Sequence, residues 1–141
     1  MQAAGLSHAD SLIQTEYNIN CLNWTIGHIV GYRDASLELL GAAPVMGAGA
    51  DRYARESDPI RADGPGVLPL EELLTLARRS QERLAEVIGA ASPEVFAEER
   101  TIGDRTATVG SRLFFNYFHD TYHTGQTELL RQVAGADDSV I

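Results

Sequence analysis

The chain has no lysine. All 11 of its basic residues are arginines, which excludes a Schiff-base lysine and the lysine of a P-loop. It has one cysteine, Cys21, and so can form no internal disulfide; a reducing cytoplasm is the expected compartment. No apolar run reaches the ~18 residues a membrane span requires, and no basic and then apolar leader opens the sequence. Positive charge is scarce, with 20 acidic residues against 11 basic and a net charge of −9. Phosphate recognition relies on basic patches, so nucleic acid is not an expected partner.

What remains is 141 residues with 44% apolar content, enough for one domain over 1–141 with a real core. Three stretches carry helical periodicity, at about 20–40, 70–88 and 108–134. Thr108 is placed to cap the last of them and Gly135 to stop it. A shorter helix is expected between His8 and Thr15. The Gly- and Pro-rich stretch 41–69 reads as a long connection, placed to cover one end of a bundle. Residues 92–107 read as a second connection, with a turn at Ile102-Gly103-Asp104. No alternating strand pattern of useful length is present. The expected class is all-α, an antiparallel helical bundle.

The densest chemistry is His119-Asp120-Thr121-Tyr122-His123-Thr124-Gly125-Gln126. Residues at i and i+4 share a helix face, so His119 and His123 can hold one transition metal and then need a third ligand. His28, in Asn23-Trp24-Thr25-Ile26-Gly27-His28, is the candidate. A helical wheel groups His119 with Phe115, Tyr122, His123, Gln126, Leu130 and Val133 on one inward face. Thr121, Thr124, Glu128 and Arg131 fall opposite. The 20–40 helix is apolar on two sides and should be buried on both. Spacing alone leaves two readings open: three metal ligands, or three core histidines bonded to groups such as Asn116, Tyr122 or Gln126. Gln126, one turn beyond His123, could orient a ligand or cap a polar pocket. Asp120 could support a neighbouring histidine, although a solvated or helix-paired carboxylate is the favoured reading. Trp24, Tyr32 and Tyr122 are placed near the histidines, with packing the favoured role. Cys21 lies too far along its helix to share a metal with His28. Phe114, Phe115, Tyr117 and Phe118 read as core or interface. His-Asp-x-x-His resembles the His-Glu-x-x-His of zinc peptidases, but its acid is a methylene shorter and no strand precedes the helix to bind a peptide.

Together, Asn-Trp-x-x-Gly-His early and His-Asp-x-Tyr-His-x-Gly-Gln late resemble the DinB-like (YfiT-like) metal-binding four-helix superfamily, from about Leu6 to Val133. The resemblance implies a divalent metal, zinc or nickel, on His28, His119 and His123, with water in the open positions. It also implies a bacterial, cytoplasmic protein acting on a small molecule. Some members resemble transferases that use a low-molecular-weight thiol such as bacillithiol, mycothiol or glutathione; others look like isomerases or amide hydrolases. A thiol S-transferase is the first expectation, a small-amide hydrolase the second, and a non-catalytic metal-binding, stress-response or interaction protein the alternative. Members of the family open with a long helix before a Leu-Ser-x-x-Asp turn, here Leu6-Ser7-His8-Ala9-Asp10. On that likeness most of a first helix is missing, through a misassigned start, trimming or replacement by a partner subunit. An exposed second face of the 20–40 helix, together with Phe114 and Phe118, would then favour a homodimer.

Overall fold

The computed structural model describes residues 3–136; the outermost residues of the expected 1–141 domain lie outside that range. Among the described residues five helices form: α1 (His8–Ser11), α2 (Leu22–Leu39), α3 (Leu70–Ala90), α4 (Pro93–Ala97) and α5 (Val109–Val133). The three long ones match the three periodic stretches, and the class is all-α. Ser7 opens α1 with a capping box: its hydroxyl accepts from the Asp10 N–H at 3.2 Å, and its own N–H donates to Asp10 Oδ2 at 2.8 Å. This is the local physics of the Leu-Ser-x-x-Asp turn. Thr108 caps α5 by accepting from the Ser111 N–H.

α2 is the central element. Residues 21–30 are buried without a break, because α3 and α5 pack on one side and a 3₁₀ segment, Gly47–Tyr53, packs on another. The expectation of an exposed second face on this helix is therefore corrected: the 41–69 segment covers it. That segment runs along α2 instead of closing one end of a bundle, and it is anchored by side chains. Asp34 of α2 accepts from the N–H groups of Val45 (2.7 Å), Met46 (2.8 Å) and Gly47 (3.1 Å), so a buried carboxylate caps the start of the 3₁₀ segment. Tyr53 and Ile60 are 1% exposed and join the core with Leu22, Ile26, Val30, Leu70 and Leu73. His8, the fourth histidine, stands apart: its Nδ1 accepts from the Leu70 N–H at 3.2 Å, at the first turn of α3.

The structure differs from two further expectations. The stretch 92–107 holds α4 and a hairpin, β1 (Glu99–Ile102) paired antiparallel with β2 (Arg105–Thr108). Its strands are short, polar and largely exposed, so they carry no apolar alternation to read. Gly103 supplies the positive φ (63°) of the two-residue turn.

The buried stripe of α5 is also rotated from the wheel. It runs through Asn116, Thr127, Leu130 and Arg131, while Phe115, Tyr122 and Val133 are exposed. The reason is that the α2–α5 contact is polar. Asn116 Nδ2 donates to Ser36 Oγ at 2.9 Å, and Arg33 Nε donates to Asp120 Oδ2 at 2.6 Å. An inward face judged by the apolar residues around His119 points the wrong way for such a contact. Phe114, Phe115, Tyr117 and Phe118 are exposed, which removes them from the core.

Candidate metal centre

α2 presents His28 to α5, where His119 and His123 lie one turn apart with their rings edge-to-face. One ring nitrogen from each lies within 4.8 Å of the other two. Spacing along α5 brings His119 and His123 together; the α2–α5 packing adds His28, 91 positions upstream of His119.

The surroundings decide which nitrogens are free. His28 Nδ1 is 2.7 Å from the Tyr53 carbonyl oxygen. A carbonyl only accepts, so Nδ1 carries the proton and Nε2 keeps its lone pair. His123 Nδ1 is 2.6 Å from Gln126 Oε1, an amide oxygen, with the same consequence. The lone pair on His123 Nε2 faces His119 Nε2 at 3.2 Å. Two ligands on a tetrahedral ion at about 2.05 Å are separated by about 3.3 Å, so this pair already has the spacing of one coordination edge. His119 Nδ1 is buried without a hydrogen-bond partner among the described residues. Metal-binding histidines characteristically donate their second N–H to a carbonyl or carboxylate, as His28 and His123 do here. The donor set thus fits a divalent ion, and the three histidines could hold one.

The imidazoles are also in the right protonation state. Burial pushes His119 down to about 4, helped by the neighbouring His123 and His28. Burial also lowers His28, against the pull of the Tyr53 carbonyl, and lowers His123, against that of Gln126. All three are neutral at pH 7, as metal binding requires.

The sequence of this chain matches the DinB superfamily over residues 13–127. The chain belongs to the DinB superfamily. No curated protein matches it.

Within this DinB-superfamily fold, each residue of Asn-Trp-x-x-Gly-His has a physical task. Asn23 Nδ2 donates to the Leu68 carbonyl (3.0 Å), and its Oδ1 accepts from the Tyr53 hydroxyl (3.3 Å). Trp24 stacks on His28 with ring centroids 4.3 Å apart and donates from Nε1 to Ser57 Oγ at 2.9 Å. A Cβ on Gly27 would lie 2.2 Å from Tyr53 Cδ1, so glycine is what lets the tyrosine ring lie against α2. Tyr53 then offers its carbonyl to His28. Sequence reading missed Tyr53; the glycine beside a candidate ligand was the available signal.

The remaining candidates are distributed as follows. Tyr32 stacks on His119 (3.7 Å between centroids). Tyr122 packs edge-on against His123 at 5.2 Å while its own ring is exposed. Asp120 is neither solvated nor paired to a histidine: Arg33 holds it across the helix interface with a second bond, Nη2 to Oδ1 at 3.3 Å, and Thr124 Oγ1 donates to it at 3.2 Å. Cys21 is buried at the start of α2.

Above the histidines lies an open cavity of about 1000 Å³. Its wall includes Trp24, Tyr32, Phe115, Tyr122 and Gln126. It also includes Arg55 and Arg61, which sequence reading did not single out. Among the described residues no helix is long and apolar enough to cross a membrane.

Proposed function

We propose that this protein is a metal-dependent transferase that joins a low-molecular-weight thiol to a small electrophile. The observation that carries the reading is the open cavity of about 1000 Å³ directly over three inward, neutral imidazoles. Three protein ligands with an open side are the arrangement of a catalytic site, whereas a structural site is closed by four. The volume is at the upper end of what small-molecule sites use.

When bound, a divalent ion, zinc or nickel by preference, supplies Lewis acidity that makes a thiol or water nucleophilic at neutral pH. The protein's own part is placement. His28 and His123 are held by Tyr53 and Gln126, so their lone pairs stay aimed at one point. Trp24 and Tyr32 stack on His28 and His119 and prevent those rings from turning. The thiol proton leaves to solvent, and sulfur forms its bond to the electrophilic carbon as that carbon's leaving group departs. A thiol co-substrate is reduced only in a reducing compartment, which accords with the lone buried Cys21. Small-amide hydrolysis would use the same site with water as nucleophile.

The test starts with elemental analysis of untagged protein beside His119→Ala. Near-stoichiometric divalent metal in the wild type and its loss in the variant are expected. The loaded protein is then assayed with glutathione and other small thiols against a chromogenic aryl halide. Metal without turnover of any thiol or amide would leave the non-catalytic, metal-binding role. No metal after incubation with zinc or nickel would overturn the reading.

A further inference from the structure

Among the described residues, three charged ones line the cavity: Arg55, Glu56 and Arg61. The chain carries nearly two acidic residues for each basic one (20 against 11), yet the cavity over the histidines reverses that ratio. Glu56 does not neutralise the pair. It meets only Arg55, with Nε to Oε1 at 3.6 Å and both side chains more than four-fifths exposed, an arrangement that binds weakly in water. Arg61 has no ion pair or hydrogen bond among the described residues.

The segment that bears them is fixed from several sides. Ser57 Oγ accepts from Trp24 Nε1 (2.9 Å), the Asp58 carbonyl accepts from Arg52 (2.6 Å), and the Ile60 carbonyl accepts from Gln14 Nε2 (3.0 Å). Glu56 is the one non-glycine residue with positive φ among the described residues (68°), a conformation that costs energy and persists only where the surroundings enforce it. The result is a guanidinium at each end of a pinned turn, both on the cavity wall.

We propose that Arg55 and Arg61 form an anion subsite, so that the small molecule taken by this cavity carries an acidic oxyanion, a carboxylate or a phosphate ester, remote from its reacting atom. Guanidinium groups match both oxyanions with paired hydrogen bonds. A divalent ion on the histidines adds further positive charge to the same space, and the field in such a cleft concentrates anions although the protein as a whole repels them. This inference rests on the thiol-transferase reading for the identity of the reacting atom.

The experiment uses the sole tryptophan, Trp24, which lines the cavity. Its fluorescence is titrated in zinc-loaded protein with a series of ω-mercaptoalkanoates of increasing length and with their methyl esters. At low salt, one length of acid should bind roughly tenfold tighter than its ester, the worth of a charged hydrogen bond. The preference should vanish in Arg55→Gln/Arg61→Gln, with ester affinity and zinc content unchanged. Competition by propionate or by methyl phosphate tells which oxyanion fits. Equal binding of acid and ester, or a preference that survives in the double variant, overturns the subsite. Zinc content measured on the same samples separates that result from failure of the metal reading, in which the wild type holds no zinc.

Discussion

His28 Nδ1 lies 2.7 Å from the carbonyl oxygen of Tyr53. This bond ties the central helix to the segment that covers it, and it assigns the proton on a candidate metal ligand. Tyr53 can deliver its carbonyl there only because position 27 has no side chain. Its hydroxyl is fastened independently, accepting from the Leu68 N–H at 2.7 Å and donating to Asn23. The orientation of one imidazole is thus set by residues from two distant parts of the chain.

Gly27→Ala is expected to damage both fold and site. Its Cβ would meet the Tyr53 ring at 2.2 Å, far inside contact distance and against a fully buried side chain. Overpacking of this kind costs about 1–3 kcal/mol. Urea unfolding of the metal-free protein measures the loss, and zinc affinity should fall in the same variant. Wild-type stability and affinity would show that Tyr53 does not hold His28.

Gln126→Leu keeps the helix and the apolar shape of the face but removes the oxygen 2.6 Å from His123 Nδ1. Loss of a group that orients a metal ligand typically lowers affinity roughly 10–100-fold. Competition with a zinc chelator should read that drop while circular dichroism stays unchanged. An unaltered affinity would make Gln126 a pocket residue only.

The histidines predict the pH dependence of the metal-free protein. His119 stands at about 4 in the folded chain against an ordinary 6.5. The unfolded chain therefore takes its proton first as pH falls, and protonation favours unfolding. Stability should decline from about pH 6.5 towards 4 and lose nothing more to this group below that. His28 and His123 are lowered in the same direction and add to the slope. Urea midpoints across this window should decline less in His119→Ala than in the wild type. Equal slopes would mean that His119 is not held neutral.

Asp120→Ala should destabilise the α2–α5 interface more than it disturbs the cavity. It strips Arg33 of both carboxylate bonds in a largely buried setting. Arg33 keeps only the Ala77 carbonyl, at 2.8 Å. Breaking a buried pair from one side costs about 3 kcal/mol or somewhat more. Denaturation should show this loss, and Asp120→Ala/Arg33→Leu should recover much of it. Full recovery of zinc stoichiometry at low temperature is expected in Asp120→Ala, since Asp120 bonds to none of the three histidines.

The sequence alone determined the long helices, through their 3.6-residue periodicity and their caps. It also paired His119 with His123, because i, i+4 spacing on a helix is a local geometric fact. The combination of two short motifs carried the family. Local rules could not reach the rest. The hairpin at 99–108 has no apolar alternation, so its pairing was invisible. The buried face of α5 escaped periodicity because Asn116 and Asp120 are turned inward by polar partners on α2, and periodicity records apolarity and not partnership. The roles of Tyr53, Arg55 and Arg61 were decided only by tertiary structure. They lie in a segment without periodic pattern, and long-range bonds from Asn23, Trp24, Asp34 and Gln14 place that segment over the histidines. Helices are written in neighbouring residues; a site built across α2, α5 and a long connection exists only once distant residues have packed.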